Sequence, residues 1–496
     1  MSFPRKREST AATGCQLPAF TGTSFAGMTG EMSCQLKTLT RALCRAAELQ
    51  VGFLGCTAIR RANLAALANC QADDMINRVK VEKAKRQTQD VKRKLNRRIM
   101  QASINITPLE FQSRAARLLD HVRAQRLSGV VLFDNYYILY FTGFAFIPTE
   151  RPIAFVMNAQ GEKAMFVPRL EVEHAQSKTG FERVDHYVEY PFDPHPAQVL
   201  KKTLDDMGIQ GKLAADSDGY PWILGYRGPA LSELTGGTVV RVTSLIEDLM
   251  MIKSNAEVGL IRESVKWGNL AHRLLQRYTR AGATETEVSL RASTEATLAM
   301  LDALGPLYSA QSMFEDGASA GYRGQIGRNA AIPHSLANNI TFQSGDVLVT
   351  GAGAPMWGYN SELERTMIVG RPSDEQRRMF EHTKKMQEVA FDALRPGAQC
   401  ANVDRAVRKY YEDNDLMQYW KHHSGHAIGL RYHEGPFLDL GDQTVIKPGM
   451  VFTVEPGLYA ANLGGFRHSD TVLVAESGIE ILTYYPRDLE SLIVPA

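Results

Sequence analysis

The sequence predicts an α/β (α+β) protein with a small mixed domain followed by a larger one, and three observations carry that prediction. At 496 residues the chain exceeds what one hydrophobic core supports. From about Thr107, short apolar runs with strand character alternate with segments of helical period. Around Met250-Met-Ile-Lys253 the pattern changes. Three long helical segments follow, opening at Ser254-Asn-Ala-Glu257, Thr284-Glu-Thr-Glu287 and Ser373-Asp-Glu-Gln376, each a hydroxyl cap with Glu or Gln three residues on.

Composition narrows the class. A composition of 44% hydrophobic and 22% charged residues is ordinary for a globular protein, which excludes disorder, collagen and coiled coil as overall descriptions. No apolar run reaches the roughly 20 residues needed to cross a bilayer, and no secretory apolar stretch opens the chain. A cytoplasmic protein without a membrane partner is expected. Five of the six cysteines lie in the first 70 residues and only Cys400 lies beyond, so no disulfide framework holds the body together.

Charge marks the first boundary. Residues 1–100 carry 18 Lys and Arg against 7 Asp and Glu, a surplus of +11 in a chain whose net charge is +2, which leaves −9 for the rest. Residues 1–104 read as a basic extension, disordered or an over-called start with Met75 or Met100 as the natural one. A transit peptide ranks second. The basic front is read as a solvated face or tail, and the mildly acidic body favours a small molecule over nucleic acid, so no nucleic-acid partner is expected.

Residues 105–250 form the first domain. Helical spacing over Pro108 to Leu127 leads into the strand Val130-Val-Leu-Phe133. A turn at Asp134-Asn135 and a second apolar run, Tyr137-Ile-Leu-Tyr-Phe141, come next and are read with the strands. Strands at Ile153 to Met157 and Ala164 to Val167 precede helices near Pro196 to Met207 and Tyr220 to Leu224. Residues 251–496 form the second domain.

Four stretches in the second domain bring acids and histidines among apolar strands, where polar side chains need partners. The first is the loop histidine His334, next to Pro333. In the second, Glu362 and Glu364 share one face of a strand, because side chains alternate. Such a pair perturbs its own ionisation, holds a cation, or lies on a solvated edge. The third contains His422, His423, His426 and His433, with small residues around His426 that let a backbone or ligand approach. In the fourth, Glu455 follows the strand Val451 to Val454 and precedes Pro-Gly, a strand end where active-site groups commonly sit.

Together these stretches resemble the catalytic domain of the pita-bread superfamily, which holds methionine aminopeptidase, aminopeptidase P, prolidase and creatinase. The clearest marks are Gly425-His426-Ala-Ile-Gly-Leu430 with His433, Val454-Glu455-Pro-Gly457, and Arg467-His-Ser-Asp470. The resemblance covers Thr107 to Ala496 and implies a creatinase-like N-terminal domain before a pita-bread catalytic domain. It also implies a homodimer.

Metallopeptidases of this superfamily hold two divalent metals with two Asp, one His and two Glu. By resemblance the His falls on His426, one Glu on Glu455 and the second Asp on Glu362. The first Asp falls on Gly351 and the final Glu on Ser469, neither of which is a ligand. The expectation is therefore that no metal cofactor is used. The alternative is one divalent metal (Mn, Zn, Co or Fe) on the residual candidates Glu362, His426 and Glu455.

Creatinase works without metal, and Leu363-Glu364-Arg365-Thr366 is similar to its substrate-binding segment. That resemblance gives His334 the proton shuttle and gives Glu364 and Glu455 the polarisation of a cationic or amide nitrogen. His426 and His433 donate to the developing oxyanion or orient the substrate. Glu362 and His422 support substrate binding, and Arg151 pairs with a substrate carboxylate across a dimer. The implied function is metal-independent hydrolysis of a C–N bond in a small cationic or zwitterionic molecule. A metal-dependent X-Pro peptidase acting on dipeptides is the alternative, and a non-catalytic binding module is the second.

Overall fold

The computed structural model describes residues 104–178 and 180–496. The expectations for the basic extension, including Met75 and Met100, lie outside the described residues. Among the described residues no helix is long and apolar enough to cross a membrane.

Thr107 starts the first helix among the described residues, Pro108–Ala124, by accepting the Glu110 backbone N–H, and Pro108 fills the first turn, where no N–H is needed. The helix buries Ala115, Leu118 and Val122 and delivers the chain into Gly129–Leu132, whose four residues are all buried. That strand lies inside a six-stranded sheet in the order Arg183–Tyr187, Lys163–Pro168, Ala154–Asn158, Gly129–Leu132, Leu213–Ala215, Val239–Arg241.

Two sequence expectations fail in this region. The run Tyr137 to Phe141 is part of a helix, Asn135–Thr142, rather than a strand. Asp134 caps it by accepting the Tyr136 and Tyr137 N–H groups, and Gly143 ends it at φ 71°. The helix is buried from Tyr137 to Thr142, so its sequence carries no polar face to betray the helical period. Tyr220 to Leu224 is irregular, because Pro221 interrupts it and Leu224 takes φ 47°.

The expected caps open the later helices. Ser254 and Glu257 make a reciprocal capping box before Asn255–Tyr278, Thr284 caps Glu285–Leu304, and Ser373 with Gln376 opens Asp374–Ala393. Asn255–Tyr278 and Glu285–Leu304 pack on each other and on the strands Gly351–Gly353 and Ser319–Gly321. The approach is close at Gly268, where a Cβ would lie 3.1 Å from Gly353 Cα. Asp374–Ala393 and Cys400–Asp413 form the second helical pair.

Between them runs a sheet in the order Glu434–Phe437, His426–Ala427, Val451–Val454, Ser469–Ala475, Leu363–Glu364, Gly351–Gly353, Ser319–Gly321, with Gly478–Ile481 beside Ser469–Ala475. Its register sets Glu364 opposite Ser469 and Leu363 opposite both Asp470 and Ala352. Arg365 pins this register from behind. Fully buried, it donates to the carbonyls of Glu364, Ser469, Tyr485 and Pro486, and its Nη2 lies 2.8 Å from Asp470 Oδ1. This mixed α/β architecture is of the kind the sequence predicts.

Candidate active site

The third histidine-bearing stretch is drawn across the end of the sheet by backbone chemistry. Asp404 Oδ1 takes both the N–H and the hydroxyl of Ser424, at 3.1 and 2.7 Å. Gly425 follows with a hydrogen where a Cβ would meet the Thr453 carbonyl at 2.1 Å, so no other residue lets the two strands approach. His426 then enters the sheet with its N–H on Thr453 Oγ1.

The His426 ring is fixed by its first neighbour. Nδ1 lies 2.9 Å from the Ala427 carbonyl, which only accepts, so Nδ1 carries the proton and Nε2 presents its lone pair to the pocket. Nε2 is buried and has no hydrogen bond of acceptable angle, yet it stands 3.1 Å from Glu455 Oε1. A lone pair facing a carboxylate oxygen at that distance requires a cation between them, either a proton or a metal. Glu362 completes the group, and donor atoms of Glu362, His426 and Glu455 all lie within 4.8 Å of one another.

The ionisation of these groups shows the same demand. Burial and then the Glu455 and Glu364 carboxylates push Glu362 above the usual carboxylate range. Burial also acts on Glu455, but His426 and Arg467 outweigh it and hold that carboxyl well below the usual range. Burial opposes a charged His426, and Glu455, with Glu362 behind it, overrides this and pushes the ring up to about 9. In other words, the site holds a positive charge at Nε2 wherever it can find one.

Glu364 lies beside this group but is engaged elsewhere. Arg467 grips it through Nε and through Nη2 at 2.8 Å, and Arg323 Nη2 holds Oε1 at 2.6 Å. Arg467 also donates to the Tyr459 hydroxyl at 3.1 Å, and its Nε lies 3.8 Å from Glu455 Oε2. Sequence reasoning did not assign a role to Arg323, Tyr459 or Arg467. For Arg467 a signal existed, since a cation inside a buried strand needs an acid. For Arg323 there was none, because its partner is 41 residues away and only the sheet brings them together.

The remaining expected residues fall into two sets. His433 stacks on His426 with ring centroids 3.8 Å apart, while its side chain stays exposed. Burial of part of the ring, then the His426 charge, lower it to about 4, and His334 contributes in the same direction. His334 itself sits exposed in the turn after Gly327–Ala331. His422 is held by two bonds: Nδ1 donates to its neighbour's carbonyl, and Nε2 accepts from the Tyr459 hydroxyl at 2.7 Å. Arg151 pairs with Glu150 and Glu189 in the first domain and joins none of these groups within the chain. Ser469 donates its hydroxyl to Glu362 Oε1 at 2.7 Å, and Gly351 leaves space that the Glu364 carboxylate borders at 3.7 Å from a would-be Cβ.

Residues 259–476 match the model of metallopeptidase family M24, and residues 114–252 match the creatinase/prolidase N-terminal domain. The chain belongs to the pita-bread superfamily of creatinase, aminopeptidase P and prolidase. Like others of this superfamily, it is a hydrolase of C–N bonds. It is 28% identical over 386 residues to the Xaa-Pro dipeptidase of Pyrococcus furiosus, an alignment covering 76% of this chain and 100% of that one. Among solved structures it resembles the dipeptidase PepE of Mycobacterium ulcerans, with a TM-score of 0.66 and 27% identity over 79% of this chain and 100% of that one. The Xaa-Pro dipeptidase of Bacillus anthracis shares the fold, with a TM-score of 0.65 and 24% identity over 77% and 100% of the two chains.

These findings correct the expectation that no cofactor is used. The family is one of metallopeptidases. The donor set retained by this pita-bread protein, two carboxylates and an imidazole lone pair converging within 4.8 Å, also fits a divalent cation.

Proposed function

We propose that this pita-bread hydrolase is a metal-dependent peptidase of Xaa-Pro dipeptides, with its metal held by Glu362, His426 and Glu455. The observation that carries the reading is the convergence of Glu362, His426 and Glu455 on one point, with donor atoms within 4.8 Å of one another and His426 Nε2 buried 3.1 Å from Glu455 Oε1. Its similarity to Xaa-Pro dipeptidases along their whole length supports the substrate class. When bound there, a divalent ion supplies a Lewis acid and an acidified water.

The chain's own residues do the rest. The Nδ1–H of His426 stays on the Ala427 carbonyl, which keeps Nε2 directed inward. His433, held neutral at pH 7, offers an exposed ring edge to the substrate beside His426. His334, exposed near His433, exchanges protons with solvent and the leaving nitrogen. A homodimer in the cytoplasm accompanies this reading, with Arg151 facing the partner's substrate.

The test is hydrolysis of X-Pro dipeptides by the purified full chain, before and after EDTA and after restoring Mn²⁺ or Co²⁺. Activity that disappears with chelation and returns with metal is expected. Hydrolysis that persists undiminished in EDTA refutes the metal role, and no cleavage of any X-Pro dipeptide refutes the substrate class.

A further inference from the structure

The acids of the pocket do not share their positive charge equally. Glu362 and Glu455 converge with His426 on one point. The Glu364 carboxylate, by contrast, is saturated: Arg467 binds both of its oxygens and Arg323 binds one of them again. Arg467 is fully enclosed, and it also reaches Glu455, with Nε at 3.8 Å from Oε2. Its third nitrogen, Nη1, is spent on the Tyr459 hydroxyl, which in turn donates to His422. The guanidinium is thus locked between two carboxylates, where it carries a fixed charge that cannot leave by deprotonation.

The two positions that would complete a larger donor set point the same way. Gly351 has no side chain, and the space beside it is bordered by the Glu364 carboxylate that Arg467 holds. Ser469 brings a hydroxyl that donates to Glu362 Oε1 at 2.7 Å, so one oxygen of Glu362 already has a neutral partner.

We infer that the site takes one divalent ion and that Arg467, clamped on Glu364 and leaning on Glu455, supplies in place of a second ion the positive charge the remaining carboxylate needs. This rests on the metal reading proposed above. Adding a second dication would set it against an immobile guanidinium at a few ångströms, with no free carboxylate left to neutralise it. Arg467 is a positioning residue here: it holds Glu364 and fixes the charge of the site, and Glu362, His426 and Glu455 bind the ion.

The experiment loads the metal-stripped full chain with Mn²⁺, measures bound metal per chain by mass spectrometry and titration calorimetry, and records the electron paramagnetic resonance spectrum. One ion per chain with an isolated Mn²⁺ signal is expected. Two ions per chain, or an exchange-coupled signal, overturn this inference and leave the metal-dependent function standing. No bound ion overturns both. Arg467→Gln, which keeps the polar shape and removes the charge, is expected to raise Mn²⁺ from one toward two per chain, while Arg467→Lys stays at one. A stoichiometry of one in Arg467→Gln shows that the guanidinium does not exclude the second ion. If Arg467→Gln does not fold, the stoichiometry and spectrum of the natural chain still decide.

Discussion

His334 and His433 are the two candidate histidines that keep exposed side chains. The others are enclosed and committed: His426 to Ala427, His422 to Tyr459, Glu364 to two arginines. If His334 acts as the proton carrier, His334→Ala lowers kcat on an X-Pro dipeptide by about 10²-fold, within the range of general acid–base catalysis, while the bound metal is unchanged. Steady-state kinetics alongside metal analysis checks this, and unaltered kcat removes His334 from the machinery. At this scale the sequence was informative about residue type and silent about commitment. The motif positions of Glu362, Glu364, His426 and Glu455 could be read directly. That Glu364 is spent on Arg467 and Arg323 could not, since both partners come from distant parts of the chain.

The helix Asn255–Tyr278 shows how an element carries the site. Its capping box fixes where it starts, and its buried face carries His272 against Thr350, the residue before Gly351. The His272 ring is fully enclosed, edge-on to Tyr485, with Arg365 nearby, and burial followed by that guanidinium lowers it to about 3. It is neutral in the folded protein down to that pH, whereas in the unfolded chain it takes up a proton near 6.5. As pH falls from 6.5 toward 3, the unfolded state gains protons that the folded state refuses. Stability therefore drops with acidification, by on the order of 1.4 kcal/mol per pH unit from this group alone. Thermal unfolding from pH 7 to 5 reads the slope, and His272→Gln is expected to flatten it. Parallel curves for the two proteins would place the acid sensitivity elsewhere. The capping boxes made these long helices legible in sequence, but the helix Asn135–Thr142 was missed for the opposite reason: buried on nearly every side, it lacks the polar stripe on which periodicity depends.

Across the whole molecule, the loop between His426 and His433 is held from both domains. Arg431 pairs with Asp134 at 2.8 Å and lies over the rings of Tyr136 and Tyr137, tying the loop to the start of a first-domain helix. Lys253, between the helices Thr243–Met251 and Asn255–Tyr278, reaches Glu434 Oε2 at 2.9 Å with both side chains almost fully enclosed. Removing one partner strands a buried charge, so Lys253→Met is expected to cost about 3–5 kcal/mol. The double change Lys253→Met with Glu434→Leu should recover much of that loss, because a paired removal leaves no bare carboxylate. Urea unfolding of the single and double variants measures this, and equal losses in both would show that packing rather than charge governs the junction.

The sequence by itself determined the class of fold, the helix starts and the identity of the superfamily, because these depend on local chemistry: caps, apolar periods, and short motifs whose residues sit side by side. It also showed Gly351 and Ser469, neither of them a ligand, at two positions where the resemblance expects acids. What it could not determine was how the remaining acids are engaged. Counting ligands pointed to a site without metal. The folded sheet instead leaves Glu362, His426 and Glu455 converging, with the His426 lone pair turned inward, and binds Glu364 to Arg467. Whether an acid is available to a cation depends on which opposite charge the tertiary structure has already placed against it, and that charge comes from residues 41 and 103 positions away.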